Sequence, residues 1–276
     1  MRKAYEHCEQ LVHEADKDRF LASLFAPADR RGALHALYAF DIETARIRTL
    51  AHQPLPGELR LQWWRDVLNG ERAEEASANP VAAALLDAVA AQGLRRGPLL
   101  ELIDARAFDL YDAPMQTSEE LESYCKRTSG NVLASSACIL DPHASAEPAV
   151  HAGIAIGLTA LLRAFAWHAS RRQLYVPVAM LARHGVQAED VYAGRDGPGL
   201  LAALAEMREQ ARGHVRAADS RGALSSPAVL PAILPVALVP LYLERMERPG
   251  YDPFRTAIEV PQWRRQWALW RAARRR

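Results

Sequence analysis

Residues 29–49 read DRRGALHALYAFDIETARIRT, and this stretch decides the fold class. Its apolar side chains recur every three or four positions, at Leu34, Leu37, Tyr38 and Ile42, which is the period of an amphipathic helix. The same spacing continues through nearly all of the 276 residues, and no stretch shows the sustained alternation that is typical of strands. The sequence therefore predicts an all-α protein.

The chain is predicted to form a single domain over residues 1–276, because no long linker, composition shift or internal repeat divides it. We expect one unbroken helix over residues 11–25 and another, strongly apolar, over residues 151–169. A shorter helix rich in Trp and Arg is expected within residues 251–276. Apolar helices that share one domain bury their faces against one another, so a helical bundle follows.

Overall charge and cysteine usage exclude some classes of protein. The chain has 34 Lys+Arg against 33 Asp+Glu, a net charge of +1, which argues against a nucleic-acid binder. Its three cysteines are widely spaced, as in a reduced intracellular protein, and no secretory segment is recognisable near Met1. We expect a cytoplasmic protein, and peripheral contact with the inner membrane stays open.

The terminal helix carries a distinctive pattern. Trp263, Trp267 and Trp270 follow the spacing i, i+4, i+7, so they share one face, and arginines occupy most of the other positions. Such a face suits the headgroup layer of an anionic membrane or the groove of a partner. It equally suits packing on the protein's own core, and the sequence leaves these alternatives open.

Three stretches together resemble a known family: residues 29–49 followed by QWWRDVL at 62–68, EELESYCKRTSG at 119–130, and GLTALLRAFAWHASRRQLYVP at 157–177. In order and spacing they resemble the squalene/phytoene synthase family over about residues 15–250. The resemblance implies an isoprenoid-synthase-type helical bundle around a central cavity. It also implies that the cavity wall includes Tyr38, Tyr124 and Tyr175.

Active members of that family join two prenyl diphosphates head to head with Mg²⁺, which prefers oxygen ligands. Two facing helices supply the carboxylates in those enzymes. The family pattern places its metal positions here at Ala45, Arg46, Thr49, Ala164 and His168, none of which is acidic. The resemblance therefore implies a protein without the metal site and without a cofactor, and Mg²⁺ is expected only if the chain is an active enzyme.

Basic residues surround the second of these positions. Arg163, Arg171 and Arg172 lie near His168 in the sequence, and the resemblance places Arg46 on the facing helix. One interpretation is a pocket that binds a diphosphate or another anion directly through guanidinium groups. The other is that Arg171 and Arg172 end a solvated helix and that His168 is structural. Arg163 interrupts an apolar stretch, so we expect it to be buried with a partner.

The stretches LRAFAWHASRR at 162–172, RLQWW at 60–64 and AFDIETA at 39–45 resemble a branch of the family whose aspartate motifs are replaced in a similar way. That branch includes the mitochondrial factor needed to assemble respiratory complex I. The leading hypothesis is a non-catalytic assembly or maturation factor for respiratory complex I, or a prenyl-lipid binder. Its expected partners are respiratory complex subunits, a membrane surface, a prenyl lipid or a prenyl diphosphate, and no nucleic acid is expected. The alternative is an active head-to-head prenyltransferase of isoprenoid biosynthesis that uses Asp41, Glu43 and Asp109 as unusual metal ligands.

Overall fold

A computed structural model describes residues 1–51, 53–220 and 227–274, and this part of the chain contains helices and turns but no strand. The all-α prediction is confirmed. The α-helices of the described residues are α1 (Arg2–Ala15), α2 (Lys17–Ser23), α3 (Ala28–Leu50), α4 (Pro54–Asn69), α5 (Ala73–Ala78), α6 (Pro80–Gln92), α7 (Arg96–Arg106), α8 (Ser118–Cys125), α9 (Asn131–Leu140), α10 (Ala146–Arg163), α11 (Phe165–Ala169), α12 (Val178–Arg183), α13 (Ala188–Tyr192), α14 (Pro198–Ser220), α15 (Leu230–Ile233), α16 (Val239–Arg245) and α17 (Gln262–Ala273). Short 3-10 turns cover Ala107–Leu110 and Leu234–Leu238, and a single π-helical turn covers Lys126–Gly130.

Helix α3 is the most deeply buried element near the N-terminus. It begins after Pro27, whose φ of −53° and ψ of 141° lie outside the helical region. The run from Ala33 to Ile42 is buried throughout, and the helix packs against α1, α6 and α9. Helix α9 also packs along α10, which in turn lies along α14. The core therefore extends from α3 through α9 to α10.

The unbroken helix expected over residues 11–25 is wrong. Asp16 has a φ of −140° and a ψ of 78°, which ends α1 at Ala15 and lets α2 begin at Lys17. The Asp16 carboxylate accepts a hydrogen bond of 2.9 Å from the backbone N–H of Arg19. Aspartate is a favoured N-cap because it satisfies an amide that has no partner inside the helix. The break directs the side chains of Asp16 and Arg19 inward.

The expected continuous helix over residues 151–169 is wrong as well. Helix α10 ends at Arg163, and Ala164, with a φ of −92° and a ψ of 7°, separates it from α11. No Gly or Pro marks this break in the sequence. One consequence is that Arg163 lies on the last turn of a helix.

Helix α10 approaches the π-helical turn closely at Gly153. A Cβ atom at this position would lie 2.4 Å from the Ser129 carbonyl oxygen and 2.5 Å from the Gly130 Cα. Both distances are far inside van der Waals contact, so the crossing requires a residue without a side chain. This contact fixes α10 against Lys126–Gly130.

The terminal helix forms as predicted, and α17 is described up to Ala273 with its C-cap Arg274, so Arg275 and Arg276 of the predicted segment lie outside the described residues. Its inner side buries Leu269 and packs on the 3-10 turn Leu234–Leu238 and on α2. Within residues 1–51, 53–220 and 227–274, no helix combines the length and the apolar character that crossing a bilayer requires.

Candidate ligand cavity

A cavity of about 260 Å³ opens between α2, α3, α7, α10 and α16. One part of its lining is apolar and comes from Leu133, Ile156, Pro235, Leu238 and Val239. The other part is charged and comes from Asp16, Asp18, Arg19, Asp41, Arg106 and Arg163. A cavity with these two ends suits a ligand that has an apolar chain and a polar head.

Asp41 is the acid that α3 presents to the charged end, and it is held by two arginines. Its carboxylate lies 2.7 Å from Arg19 Nη1 and 3.0 Å from Arg106 Nη2. Arg19 Nε lies 2.6 Å from the carboxylate of Asp16. Burial alone would raise the pKa of Asp41, but the two guanidinium groups outweigh burial and lower that pKa. Asp41 therefore stays ionised, with both of its oxygens occupied.

Asp109 is the second buried acid, and aromatic hydroxyls surround it. Tyr124 and Tyr175 donate hydrogen bonds of 2.7 Å and 2.6 Å to its Oδ1. Arg106 Nη1 donates to the Tyr124 hydroxyl at 2.9 Å and lies 3.4 Å from Asp109 Oδ2. Burial raises the pKa of both tyrosines well above the ordinary value, so both remain protonated donors. Arg106 therefore connects Asp109 to Asp41.

The residues present do not fit a magnesium site. Arg106 lies between the carboxylates of Asp41 and Asp109, and Glu43 lines a different cavity. In the part of the chain that the structure describes, no three His, Cys, Asp or Glu side chains are close enough together to hold a metal ion. The alternative ligand set of Asp41, Glu43 and Asp109 is therefore not brought together.

The predicted metal positions on α3 face away from this cavity. Ala45, Arg46 and Thr49 are exposed, and Arg46 lines a separate cavity of about 380 Å³ together with Glu43 and Trp63. Ala164, a predicted metal position of the second motif, lies between α10 and α11 and is half-buried. The anion pocket that was expected to join Arg46 to Arg163 is not formed, because the two arginines line different cavities.

His168 lies among aromatic rings. Its imidazole centre is 4.7 Å from the ring centre of Tyr175 and 5.1 Å from that of Trp167. Burial lowers the pKa of His168 to about 4, so the ring is neutral at pH 7. These contacts favour the structural interpretation of this residue.

Arg171 and Arg172 lie outside the cavity. The Arg171 guanidinium stacks over Trp167 at 4.3 Å from the ring centre. Arg172 stacks over Tyr192 at 4.4 Å and forms an ion pair of 2.6 Å with Glu189. The three arginines that the sequence places near His168 are thus separated in space. Of these three, Arg163 is the one that lines the cavity.

Arg163 is exposed, contrary to the expectation that it is buried with a partner. Because α10 ends there, its side chain extends along the cavity lining, and its guanidinium lies 4.0 Å from the ring centre of Tyr242. Across the described residues, no carboxylate comes within ion-pair distance of it. Arg163 is therefore a cation of the cavity that no acid neutralises.

Tyr242 connects Arg163 to the C-terminal helix. Its hydroxyl donates a hydrogen bond of 2.5 Å to Asp18, and Arg265 of α17 lies 2.5 Å from the other oxygen of that carboxylate. Burial, followed by the hydrogen bond to Asp18, raises the pKa of Tyr242 to about 12. The four side chains Arg163, Tyr242, Asp18 and Arg265 form one continuous row.

The tyrosines that were predicted in the cavity wall lie one layer behind it. Arg19 covers Tyr38, with its guanidinium 4.9 Å from the ring centre, and Tyr124 and Tyr175 surround Asp109. None of the three borders the 260 Å³ cavity itself. The cavity is lined instead by Arg19, whose guanidinium covers Tyr38, and by Arg106, which donates to the Tyr124 hydroxyl.

Sequence reasoning missed the arginines that organise the charged end. Arg106 precedes Asp109 by three residues and Arg19 follows Asp16 by three, spacings that bring side chains together on a helix and that could have indicated both pairs. Tyr242 and Asp18 are 224 residues apart in the sequence, and no local pattern signals that they meet.

Known proteins share this sequence pattern and this fold. A sequence model of the squalene/phytoene synthase family matches residues 12–271. The mouse NADH dehydrogenase (ubiquinone) complex I assembly factor 6 is 29% identical over 256 residues, which cover 92% of this chain and 77% of that protein. The 15-cis-phytoene synthase of Synechococcus elongatus is 27% identical over 285 residues, covering 98% of this chain and 92% of the synthase.

Solved structures show the same fold. A dehydrosqualene synthase in complex with a ligand superimposes with a TM-score of 0.84 at 19% identity, covering 98% of this chain and 95% of that one. A squalene synthase from Alicyclobacillus acidocaldarius has a TM-score of 0.74 at 23% identity and covers 92% of this chain and 96% of that one. Because the family pattern extends over nearly the whole sequence and the helices take up the family's arrangement, this chain belongs to the squalene/phytoene synthase family.

Proposed function

We propose that this protein is a family member without magnesium-dependent condensation chemistry, and that it acts in the assembly or maturation of respiratory complex I. The observation that carries the proposal is the state of Asp41, whose carboxylate is held by Arg19 and Arg106 at the charged end of the cavity. Moving this carboxylate away to ligate a metal would break two buried ion pairs and leave Arg19 with Asp16 and Arg106 with Asp109 as their remaining acids, which is costly. The neutral or basic residues at Ala45, Arg46, Thr49, Ala164 and His168 support the same conclusion.

Similarity to the complex I assembly factors supports the assembly role. The mouse factor aligns with 92% of this chain, so the similarity includes the helices around the cavity and not only an isolated motif. In this role we expect the protein to work at the cytoplasmic face of the inner membrane, beside the complex that it serves.

The cavity supports the binding of a prenyl lipid or a prenyl diphosphate. Its volume of about 260 Å³ lies just below the range of roughly 300–1,000 Å³ that is usual for small-molecule sites, so it suits one chain better than two. Head-to-head condensation requires two prenyl chains side by side. The apolar lining would take the chain and Arg163 the anionic head, because no carboxylate in the described part of the chain pairs with Arg163.

A turnover assay separates this proposal from the alternative of an active prenyltransferase. The purified protein is incubated with farnesyl or geranylgeranyl diphosphate and Mg²⁺, and released diphosphate is measured beside an active phytoene synthase as the positive control. We expect release no faster than in the protein-free blank. Turnover at the rate of the synthase would refute the loss of catalysis.

Binding of the ligand is tested without metal. We expect farnesyl diphosphate to bind in the presence of EDTA, and Arg163→Ala to weaken this binding about tenfold or more, because a charge-assisted contact is lost. Arg171→Ala, which removes a cation that stacks on Trp167 outside the cavity, is the matched control and should bind as the unmodified protein does. If the two variants bind farnesyl diphosphate equally well, Arg163 does not contribute to the binding site.

The assembly role has its own test in the organism of origin. Deleting the gene should lower the amount of assembled complex I and the NADH:ubiquinone activity of isolated membranes, and re-expression should restore both. If the amount of complex I is unchanged, the assembly role is refuted and the lipid-binding proposal alone remains.

A further inference from the structure

The exposed face of α17 lies outside the cavity and has no part in the proposed function. Trp263, Trp267 and Trp270 are 68%, 57% and 38% exposed, although tryptophan is ordinarily among the more buried residues. The interpretation that these side chains pack on the protein's own core is therefore wrong. Trp267 and Trp270 stack on each other with ring centres 4.9 Å apart and an interplanar angle of 23°, which makes a flat aromatic surface.

The apolar surface continues beyond α17 onto the turn after α2. Leu24 and Phe25 are each 44% exposed, and they border a shallow cavity of about 300 Å³ together with Trp270. These five side chains, Leu24, Phe25, Trp263, Trp267 and Trp270, are called the aromatic surface below. A contiguous apolar surface of this kind usually marks a site of interaction.

Basic side chains accompany the aromatic surface. Helix α17 contains Arg264, Arg265 and Arg271 and no acidic residue, and Arg274 follows at its end with its guanidinium 4.0 Å from the ring centre of Trp270. Arg265 is paired with Asp18, whereas no described carboxylate lies within ion-pair distance of the other three. The helix therefore presents both exposed aromatic rings and unneutralised positive charge.

The opposite side of α17 is already occupied. Leu269 is buried, and Arg265 holds the helix to Asp18 of α2. A partner that recognises a helix in a groove surrounds the apolar anchors of that helix, but here only one side is free. A helix fixed by its back against a folded domain is suited instead to a broad and nearly flat surface.

We propose that the aromatic surface and its arginines bind the protein to a membrane that contains anionic phospholipids. Tryptophan is favoured at the boundary between headgroups and acyl chains because its ring is apolar and its N–H is polar. Each arginine near the surface adds attraction to anionic headgroups, and this attraction weakens with salt. The helix lies parallel to the bilayer with its rings between the headgroups, as amphipathic helices do.

The test is sedimentation of the full-length protein with lipid vesicles. Phosphatidylcholine vesicles with and without phosphatidylglycerol are compared at low and high salt, and the bound fraction is measured in the pellet. We expect binding to vesicles that contain phosphatidylglycerol, weakened by salt, and little binding to phosphatidylcholine alone. Failure to bind the anionic vesicles, or equal binding to both kinds, would overturn the proposal.

Variants locate the surface. Trp267→Ala with Trp270→Ala should lower binding to the level of the vesicle-free control, whereas Trp167→Ala should bind normally. Trp167 is the matched control because it is 42% exposed and also stacks with an arginine, but it lies outside the aromatic surface. Arg264→Gln with Arg271→Gln should weaken binding about 30-fold, since each lost cation removes about 1 kcal/mol of attraction to the anionic surface, which is about fivefold in affinity. Normal binding by the double tryptophan variant would refute the assignment.

A second measurement does not depend on any variant folding. Brominated lipids quench only those tryptophans that enter the bilayer, so the fluorescence of the unmodified protein should fall on anionic vesicles that contain them. An unchanged fluorescence with bound protein would show that another surface makes the contact. The cavity's own ligand is absent throughout, so these outcomes are independent of whether the proposed function holds.

Discussion

His168 illustrates how burial sets the role of a single side chain. The sequence predicts a degenerate metal position there, and the structure shows an imidazole that packs between Trp167 and Tyr175 and whose pKa falls to about 4. The cause is burial, which disfavours the charged form. At neutral pH the ring is therefore a neutral aromatic group that fills space beside the Asp109 cluster.

This lowered pKa predicts a dependence of stability on pH. Between about pH 6.5, the ordinary pKa of histidine, and about pH 4, the unfolded chain binds a proton at His168 that the folded protein does not. The free energy of unfolding should therefore fall by up to about 3 kcal/mol as the pH is lowered through this window, and this contribution should level off below it. Urea unfolding of His168→Gln across the same range should show a flatter profile. His143→Gln, at an exposed loop histidine, is the matched control, and identical profiles for the two variants would contradict the assignment.

Among the contacts between elements, the crossing of α10 over the π-helical turn brings two backbones very close together. Gly153 permits it, because any Cβ there would collide with Ser129 and Gly130. The contact brings the polypeptide between α8 and α9 against the middle of α10. It thereby fixes the position of Ser129 in the cavity lining.

We expect Gly153→Ala to destabilise the fold by about 1–3 kcal/mol, because the backbones must separate to admit one methyl group. Gly213→Ala in α14 is the matched control, since no atom lies within 4 Å of the Cβ that it would add. There the same substitution should stabilise the protein by about 0.5–1 kcal/mol, because alanine favours the helix. The two midpoints of urea unfolding should move in opposite directions, and a shift of the same sign in both would refute the steric explanation.

For the whole molecule, the ion pairs of Asp41 hold separate helices together. Arg19 comes from α2, Asp41 from α3 and Arg106 from α7, and Tyr124 of α8 joins them through Asp109. The charged end of the cavity is therefore a structural junction of four helices. Most polar atoms of this junction form hydrogen bonds or ion pairs with one another. The exception is Arg106 Nε, which is buried and has no hydrogen-bond partner among the described residues.

Breaking this junction should cost much more than breaking a surface pair. Asp41→Ala removes the buried carboxylate that Arg19 and Arg106 share, and we expect a loss of about 3–5 kcal/mol in the free energy of unfolding. Asp112→Ala is the control, because Asp112 is exposed and pairs with Arg48 at 3.0 Å; it should cost no more than about 1 kcal/mol. Chemical denaturation measures both, and comparable losses would mean that Asp41 contributes no more than a surface acid.

The helical class, the family and the position of most helices could be predicted from periodicity and from the three motif stretches. The breaks at Asp16 and Ala164 could not, because periodicity continues across both. Asp16 is a residue that favours the N-cap of a helix, although the apolar pattern continues on both sides of it. Ala164 has no side chain that could cap a helix. Helix ends set by tertiary packing therefore escape a local pattern.

The site was predicted less well than the fold. Arg163 lines the cavity but is exposed rather than buried, and the arginines expected beside it lie apart from it, because Arg46 faces a second cavity and Arg171 and Arg172 stack on the rings of Trp167 and Tyr192. The direction in which a side chain points depends on where its helix ends and on how the helix is rotated about its axis. Two residues that are close in sequence can therefore point to different cavities. The contacts of Asp18 with Tyr242 and Arg265 depend on how the two ends of the chain meet.

The row from Arg265 through Asp18 and Tyr242 to Arg163 has a thermodynamic consequence. It joins the helix that carries the aromatic surface to the cation that faces the cavity. An occupant that moved Arg163 off the Tyr242 ring would change the surroundings of the hydroxyl that bonds Asp18, the carboxylate that holds α17. Linkage is reciprocal, so a bilayer that shifts α17 would change the affinity of the cavity by the same factor as a bound ligand changes attachment to the bilayer. If the cavity binds a lipid and α17 binds the bilayer as proposed, contact with the membrane would therefore change how tightly that lipid is held.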